Sequence, residues 1–235
     1  MKKRNAIPPA MKDRILAAAQ KESSPTRTAV TLDKALLLLT AGLVAANVFL
    51  AVGGVNLGPR PLELVISTAL GRGTIALTAT WAACARGGSM LGRSRIWLTA
   101  TTIATPLAIA GWMLLAARGA PTGVPVADWS CFTTAVLLGL PPLVAFALVH
   151  HRSGVSFPIA TGAALGAAAG SWADFLMVLH CPSPEVTHRL IGHIGPTVIL
   201  VALGAALGAF AIRSQVRSDY FRTDRSSIPG FNDAG

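Results

Sequence analysis

Residues 131–150 read CFTTAVLLGLPPLVAFALVH, twenty residues without an acid, a lysine or an arginine. Coiled into a helix at 1.5 Å per residue, such a stretch covers roughly 30 Å, the thickness of bilayer hydrocarbon. It offers no polar stripe to face water, so it reads as a transmembrane helix rather than an amphipathic one. Moving outward in both directions, similar runs recur at about 35–55, 64–85, 96–116, 158–180 and 194–212. The predicted fold is all-α: a polytopic membrane protein whose core is a bundle of six transmembrane helices.

Composition agrees with that reading. Of the 235 residues 52% are hydrophobic and 13% charged, against about 25% charged in a soluble domain. The chain divides into a cytoplasmic N-terminal segment 1–34, a six-helix transmembrane domain 35–213 and a tail 214–235 expected to be disordered. Neither flank is long enough to bury a core of its own. The net charge of +10 does not point to nucleic acid, because the basic residues cluster at the ends of apolar runs rather than on one folded face. No direct nucleic-acid contact is expected.

The same basic residues orient the chain. With the N-terminus in the cytoplasm, sixteen of the twenty Lys and Arg lie in cytoplasmic segments, and only Arg60, Arg118 and Arg189 lie on the opposite side. That imbalance predicts both termini inside. Trp97, Trp112 and Trp129 fall near span ends, as interfacial anchors do. A leader of 34 residues and five further spans argue against a cleaved signal peptide.

The twentieth basic residue, Arg72, falls within the second span. Thirteen residues separate it from Arg86, so one of the two must sit at membrane depth, where an arginine costs about 2.5–3.5 kcal/mol on insertion scales. Snorkelling outward, with Glu63 nine residues earlier, is the expected solution. The alternative is a pair with Asp174 in the fifth span, the only carboxylate deep enough. Gly162, Gly166 and Gly170 share one face of the fifth helix, and Gly204 and Gly208 one face of the sixth. Such faces let helix backbones approach closely, within one chain or between two copies as a homo-oligomer. Pro141-Pro142 should bend the fourth helix.

The chemistry gathers on the outer side. Cys131 opens the fourth helix and Cys181 ends the fifth, while Cys84 lies at the cytoplasmic end of the second. The segment His180-Cys181-Pro182-Ser183-Pro184-Glu185 continues to His188 and His193. A thiolate with nearby imidazoles suits a soft metal ion, which makes Cys181, His188 and His193 candidate ligands, though no resident cofactor is required. A responsive pair of thiols at Cys131 and Cys181, with His180 beside them, is the second reading. No nucleotide loop, zinc-protease helix or Ser/His/Asp spacing appears, and the chain is not expected to be an enzyme.

Inside the leader, residues 9–21 (PAMKDRILAAAQK) read as a short amphipathic helix starting at Pro9. Met11, Ile15, Leu16 and Ala19 form its apolar stripe, and Arg14 lies on the charged side with Lys12, Asp13 and Lys21. So short a helix is marginal in water and needs a lipid surface or a partner's groove.

Several stretches together carry a family resemblance. These are Leu138 to Val144 (LGLPPLV), Gly162 to Gly166 (GAALG), Leu179 to Pro182 (LHCP), Gly204 to Gly208 (GAALG), and Gly58 to Pro61 (GPRP) followed by Glu63. They resemble the NrsF family of six-helix bacterial inner-membrane anti-sigma factors, over about residues 35–213. The resemblance implies a multi-pass inner-membrane protein that negatively regulates transcription in a stress response. Its partner would be an extracytoplasmic-function sigma factor, held by the N-terminal segment through Met11, Arg14, Ile15, Leu16 and Ala19. The outward Cys131 and Cys181 would register an oxidative or metal insult. This chain departs from the family pattern in reading Ile191-Gly192-His193 after the Cys-Pro loop and in carrying a longer tail.

A small metal or solute transporter is the alternative. It would need polar residues converging within the bundle, where only Asn47, Arg72 and Asp174 qualify, and no internal repeat is evident between 35–116 and 131–213. A haem carrier would need paired histidines on one face, and the adjacent His150 and His151 point in different directions.

Overall fold

The computed structural model describes residues 27–56, 60–84, 93–116, 129–151, 156–181, 183 and 185–226. Two compact units emerge, residues 1–36 and residues 37–235. The described part of the first is the opening of a helix. The second holds the bundle. The leader stretch 9–21, with Met11, Arg14, Ile15, Leu16 and Ala19, lies outside the described residues.

All described regular structure is helical. The helices are α1 (Arg27–Ala51), α2 (Leu62–Cys84), α3 (Arg95–Ala116), α4 (Trp129–His151), α5 (Pro158–His180), a single turn α6 (Val186–Arg189) and α7 (Gly195–Ser226). A π-helical turn, Leu190–Ile194, joins α6 to α7 without a break. Five of these stretches are long and apolar enough to cross a bilayer, the last of them spanning Val186–Phe210, and α1 adds a shorter apolar stretch, Ala35–Ala51.

Boundaries follow local chemistry. The α1 helix ends at Ala51, four residues before the expected limit, because Gly53 and Gly54 adopt φ of 114° and 62°. That left-handed region is open to glycine without strain, and the Gly54 N–H closes on the Phe49 carbonyl at 2.9 Å. The α4 helix runs unbroken through Pro141 and Pro142. The last span begins earlier than expected, at Val186 rather than 194, and α7 continues to Ser226. The first part of the segment expected to be a disordered tail is therefore helical.

Helix α5 is the centre. Buried positions make up 72% of its span, against 22–33% for the others, and it packs on α2, α3, α4 and α7. Small residues make this possible. A Cβ added at Gly162 or Gly166 would collide with the backbone carbonyls of Gly204 and Leu200, and one at Gly208 with that of Pro158. The two glycine faces thus meet each other within one chain, and they are not available as a seam between copies. Threonines are accommodated by bonding back along their own helices, as when Thr105 donates to the Thr101 carbonyl at 2.8 Å. Between helices, Trp172 on α5 donates to the Thr80 hydroxyl on α2 at 2.9 Å.

Packing accounts for two side chains. The Trp112 indole fills the space above Gly71 on α2. Arg72 does not snorkel. Its side chain is 2% exposed and forms an ion pair with Asp174 on α5, because the packing of α2 on α5 brings the counter-charge within reach.

Candidate functional site

At one end of the bundle, the link between α1 and α2 is laced to the end of α5. The Asn56 N–H reaches the Leu179 carbonyl at 2.9 Å. Arg60 donates to the Val178 carbonyl at 3.0 Å and to the Asn56 carbonyl at 2.6 Å, a cation placed where the helix C-terminus is negative. His180 Nδ1 lies 3.0 Å from the Gly54 carbonyl oxygen, and its ring meets Phe49 edge-on. His180 is thus a structural tie to the α1 end, not part of the thiol cluster where sequence reasoning placed it.

Next to this clamp Cys131 and Cys181 converge. Cys131 lies in the first turn of α4, and Cys181 caps α5 with its N–H on the Met177 carbonyl at 2.7 Å. Both are buried, and their sulfurs stand 3.9 Å apart, well beyond the 2.05 Å of a disulfide. His188, carried by α6, brings Nε2 to 3.1 Å from Cys181 Sγ. The three ligand atoms of Cys131, Cys181 and His188 all lie within 4.8 Å of one another. Bonds of 2.0–2.3 Å in a tetrahedral site would space two sulfurs about 3.8 Å apart and a sulfur and nitrogen about 3.6 Å. The donor set therefore fits a soft ion with little movement.

His193, the other expected ligand, stands outside that trio but bears on Cys181 electrostatically. It projects from the π turn with its Nδ1 3.4 Å from Asp174 Oδ1, in charge-pairing range but without hydrogen-bond alignment. Its ring packs edge-on to His188, centroids 6.3 Å apart. The polar interior is thus continuous, running from Cys131 through Cys181, His188, His193 and Asp174 to Arg72. Asn47, the remaining polar candidate of a transport path, is exposed on α1 and donates to its own helix at Leu43. Of the three, Arg72 and Asp174 meet and Asn47 stands apart.

Electrostatics activate Cys181. Burial alone would raise its pKa, but the His193 ring, the Ser183 backbone N–H and the His188 ring together outweigh it and bring the thiol down to about 6. A thiolate is the form that attacks electrophiles and binds metals. Arg60 was the functional residue least visible in the sequence as such. Its proline-flanked turn was conspicuous, but nothing in it showed that the guanidinium would clamp a helix 118 residues away.

These features define a class: an all-helical chain, built of apolar helices of bilayer length, whose polar chemistry gathers around two thiols. Residues 16–213 match the family model described as NrsF: Negative regulator of sigma F. The chain belongs to the NrsF family. It is accordingly a negative regulator of a sigma factor, with a sigma factor as its partner. No curated protein and no solved structure matches it.

Proposed function

We propose that this protein is a membrane-bound anti-sigma factor of the bacterial inner membrane, with both termini cytoplasmic. Its N-terminal segment sequesters an extracytoplasmic-function sigma factor through the apolar stripe Met11, Ile15, Leu16 and Ala19, with Arg14 alongside. The signal arrives at Cys131 and Cys181 on the periplasmic side. The observation that carries this reading is the meeting of both sulfurs with His188 at one end of the bundle, the end that charge distribution assigns to the outside.

Two chemistries suit the cluster. A soft divalent metal would take the two sulfurs and the His188 nitrogen, displacing the thiol protons. Alternatively, hydrogen peroxide would take two electrons and two protons from the thiols, leaving a Cys131–Cys181 disulfide and two waters. The disulfide draws the start of α4 and the end of α5 together, whereas the metal holds the two sulfurs near their resting spacing and resets the His188 contact.

The test is a reporter driven by the cognate sigma factor in cells carrying the full-length protein. Ile15→Asp or Leu16→Asp is expected to release the reporter without any signal, and Cys131→Ser or Cys181→Ser to abolish induction by peroxide or cadmium. Repression that survives both leader substitutions would place the sigma contact elsewhere. Normal induction in both serine variants would remove the cysteines from the mechanism.

A further inference from the structure

Below the thiol cluster lies a buried charged trio whose stability role alone does not explain it. Arg72 on α2, Asp174 on α5 and His193 on the π turn are each no more than 2% exposed. Asp174 stands six residues before the end of α5, about 9 Å along the helix from His180. Arg72 pairs with one carboxylate oxygen and His193 faces the other. Even so, Arg72 Nε, Asp174 Oδ1 and both His193 ring nitrogens lack hydrogen-bond partners among the described residues. Buried ion pairs are often no more stable than apolar side chains of the same volume, and incompletely satisfied ones less so.

The histidine sits on an uncommon backbone. A π turn is rare and recurs at functional sites. Returning it to α-helical register would shift one residue position, a rotation of roughly 100° about the axis. Residues His188 and His193 lie at opposite ends of this α6–π unit, one against Cys181 and the other against Asp174. The unit therefore connects the thiol cluster to an ion pair whose other half belongs to α2.

We propose that Arg72 and Asp174 are positioning residues for the thiol cluster. They hold His193 and the π turn in the resting register, and closure of the cluster pulls the turn off Asp174 and passes the event to α2. This deepens the reading that Cys131 and Cys181 receive the signal and rests on it for the downstream step. A disulfide drags Cys181 toward Cys131, and a metal ion widens the Cys181–His188 contact from 3.1 Å toward the roughly 3.6 Å of tetrahedral geometry; both displace His188. His193 follows through the single turn between them and leaves Asp174. Arg72 then keeps one partner instead of a carboxylate fixed from both sides, and α2 is released to shift. That helix carries the movement to Cys84 at the far end of the bundle.

The experiment uses the full chain in lipid nanodiscs with bound sigma factor. In the double variant Arg72→Met/Asp174→Leu, apolar groups of similar size replace the charges, so folding is retained while the hold on His193 is lost. Two local readouts report the cluster itself: cadmium affinity, from the ultraviolet thiolate-to-metal band, and the rate of Cys131–Cys181 disulfide formation under copper phenanthroline. Loss of an outer-shell partner typically costs a metal site 10–100-fold in affinity. The double variant should lose about tenfold in cadmium affinity, change its disulfide rate and no longer release sigma factor, whereas Asp174→Glu, which keeps the charge, should retain release. Should the double variant not fold, the isosteric Asp174→Asn is judged by the same readouts. Unchanged cadmium affinity together with an unchanged disulfide rate overturns the proposal, as does sigma release at the wild-type cadmium concentration. Wild-type protein that binds cadmium yet never releases sigma factor would refute the sensing function instead, leaving the two local readouts to decide the positioning role.

Discussion

Replacing Gly162 by alanine puts a methyl group into the narrowest seam of the bundle. The new Cβ would stand 2.8 Å from the Gly204 carbonyl carbon, whereas carbon atoms rest comfortably at 3.5–4.0 Å. Helices α5 and α7 must therefore part by about 1 Å, and a gap of that size forfeits a quarter to a half of the dispersion attraction along the seam. Overpacking of this kind costs about 1–3 kcal/mol, and we expect Gly162→Ala to lose about 2 kcal/mol. Gly204→Ala meets the Gly162 carbonyl from the opposite side, so a separation opened by one substitution serves the other. The double variant should fall short of the sum by about 1 kcal/mol, as contacting sites do. Gly111 on α3 has nothing within 4 Å of an added Cβ. Gly111→Ala should be neutral or gain up to about 1 kcal/mol in helix propensity. The assay is unfolding in mixed detergent micelles as the denaturing fraction rises, followed by tryptophan fluorescence, to which Trp172 on α5 contributes. A Gly162→Ala protein as stable as Gly111→Ala, or full additivity across Gly162 and Gly204, would refute the close approach of α5 and α7.

Two further outcomes follow from the site. In a Cys131→Ser background, alkylation of Cys181 by iodoacetamide should have its midpoint near pH 6 and be flat above pH 7, because the reactive thiolate is already formed there; acid slows the reaction. His193→Gln should move that midpoint upward, and a wild-type midpoint of about 8 or higher, measured by mass spectrometry of the labelled peptide, contradicts the electrostatics. His188→Ala should weaken cadmium binding by about tenfold or more, a loss of ~1.4 kcal/mol, while His180→Ala, whose side chain sits against Gly54, should leave it within a factor of two. Equal effects in a metal titration would return His180 to the cluster.

Much of the bundle was legible in the sequence because its apolar runs have the length of a bilayer span. Helix α5 was placed to the residue, 158–180, since Pro158 starts it and Cys181 follows its last apolar turn. The glycine spacing announced close packing but not its partner, as a small-residue face fits another copy as well as another helix. Contacts across long separations were hidden for the same reason. Arg72 and Asp174 lie 102 positions apart, and one charge at depth can be settled by snorkelling or by pairing. Only the packing of α2 on α5 decides between them. Among the histidines, adjacency to Cys181 suggested His180, whose ring lies against Gly54 instead, while His193 faces Asp174 and still bears on Cys181. What the leader does could be read only from periodicity and resemblance, and it lies outside the described residues.

The burial of α5 by its neighbours has a consequence for biosynthesis. In the proposed membrane setting, the outer helices can rest against lipid as soon as they emerge, because their large side chains face outward. Helix α5 exposes a groove of glycine and alanine that acyl chains fill poorly, and its carboxylate needs the arginine of α2. Its best-fitting companion, α7, comes later in the chain. A nascent chain halted before residue 195 would leave that groove open, so a quality-control protease that senses loosely packed membrane segments should clear truncated chains while sparing the finished one.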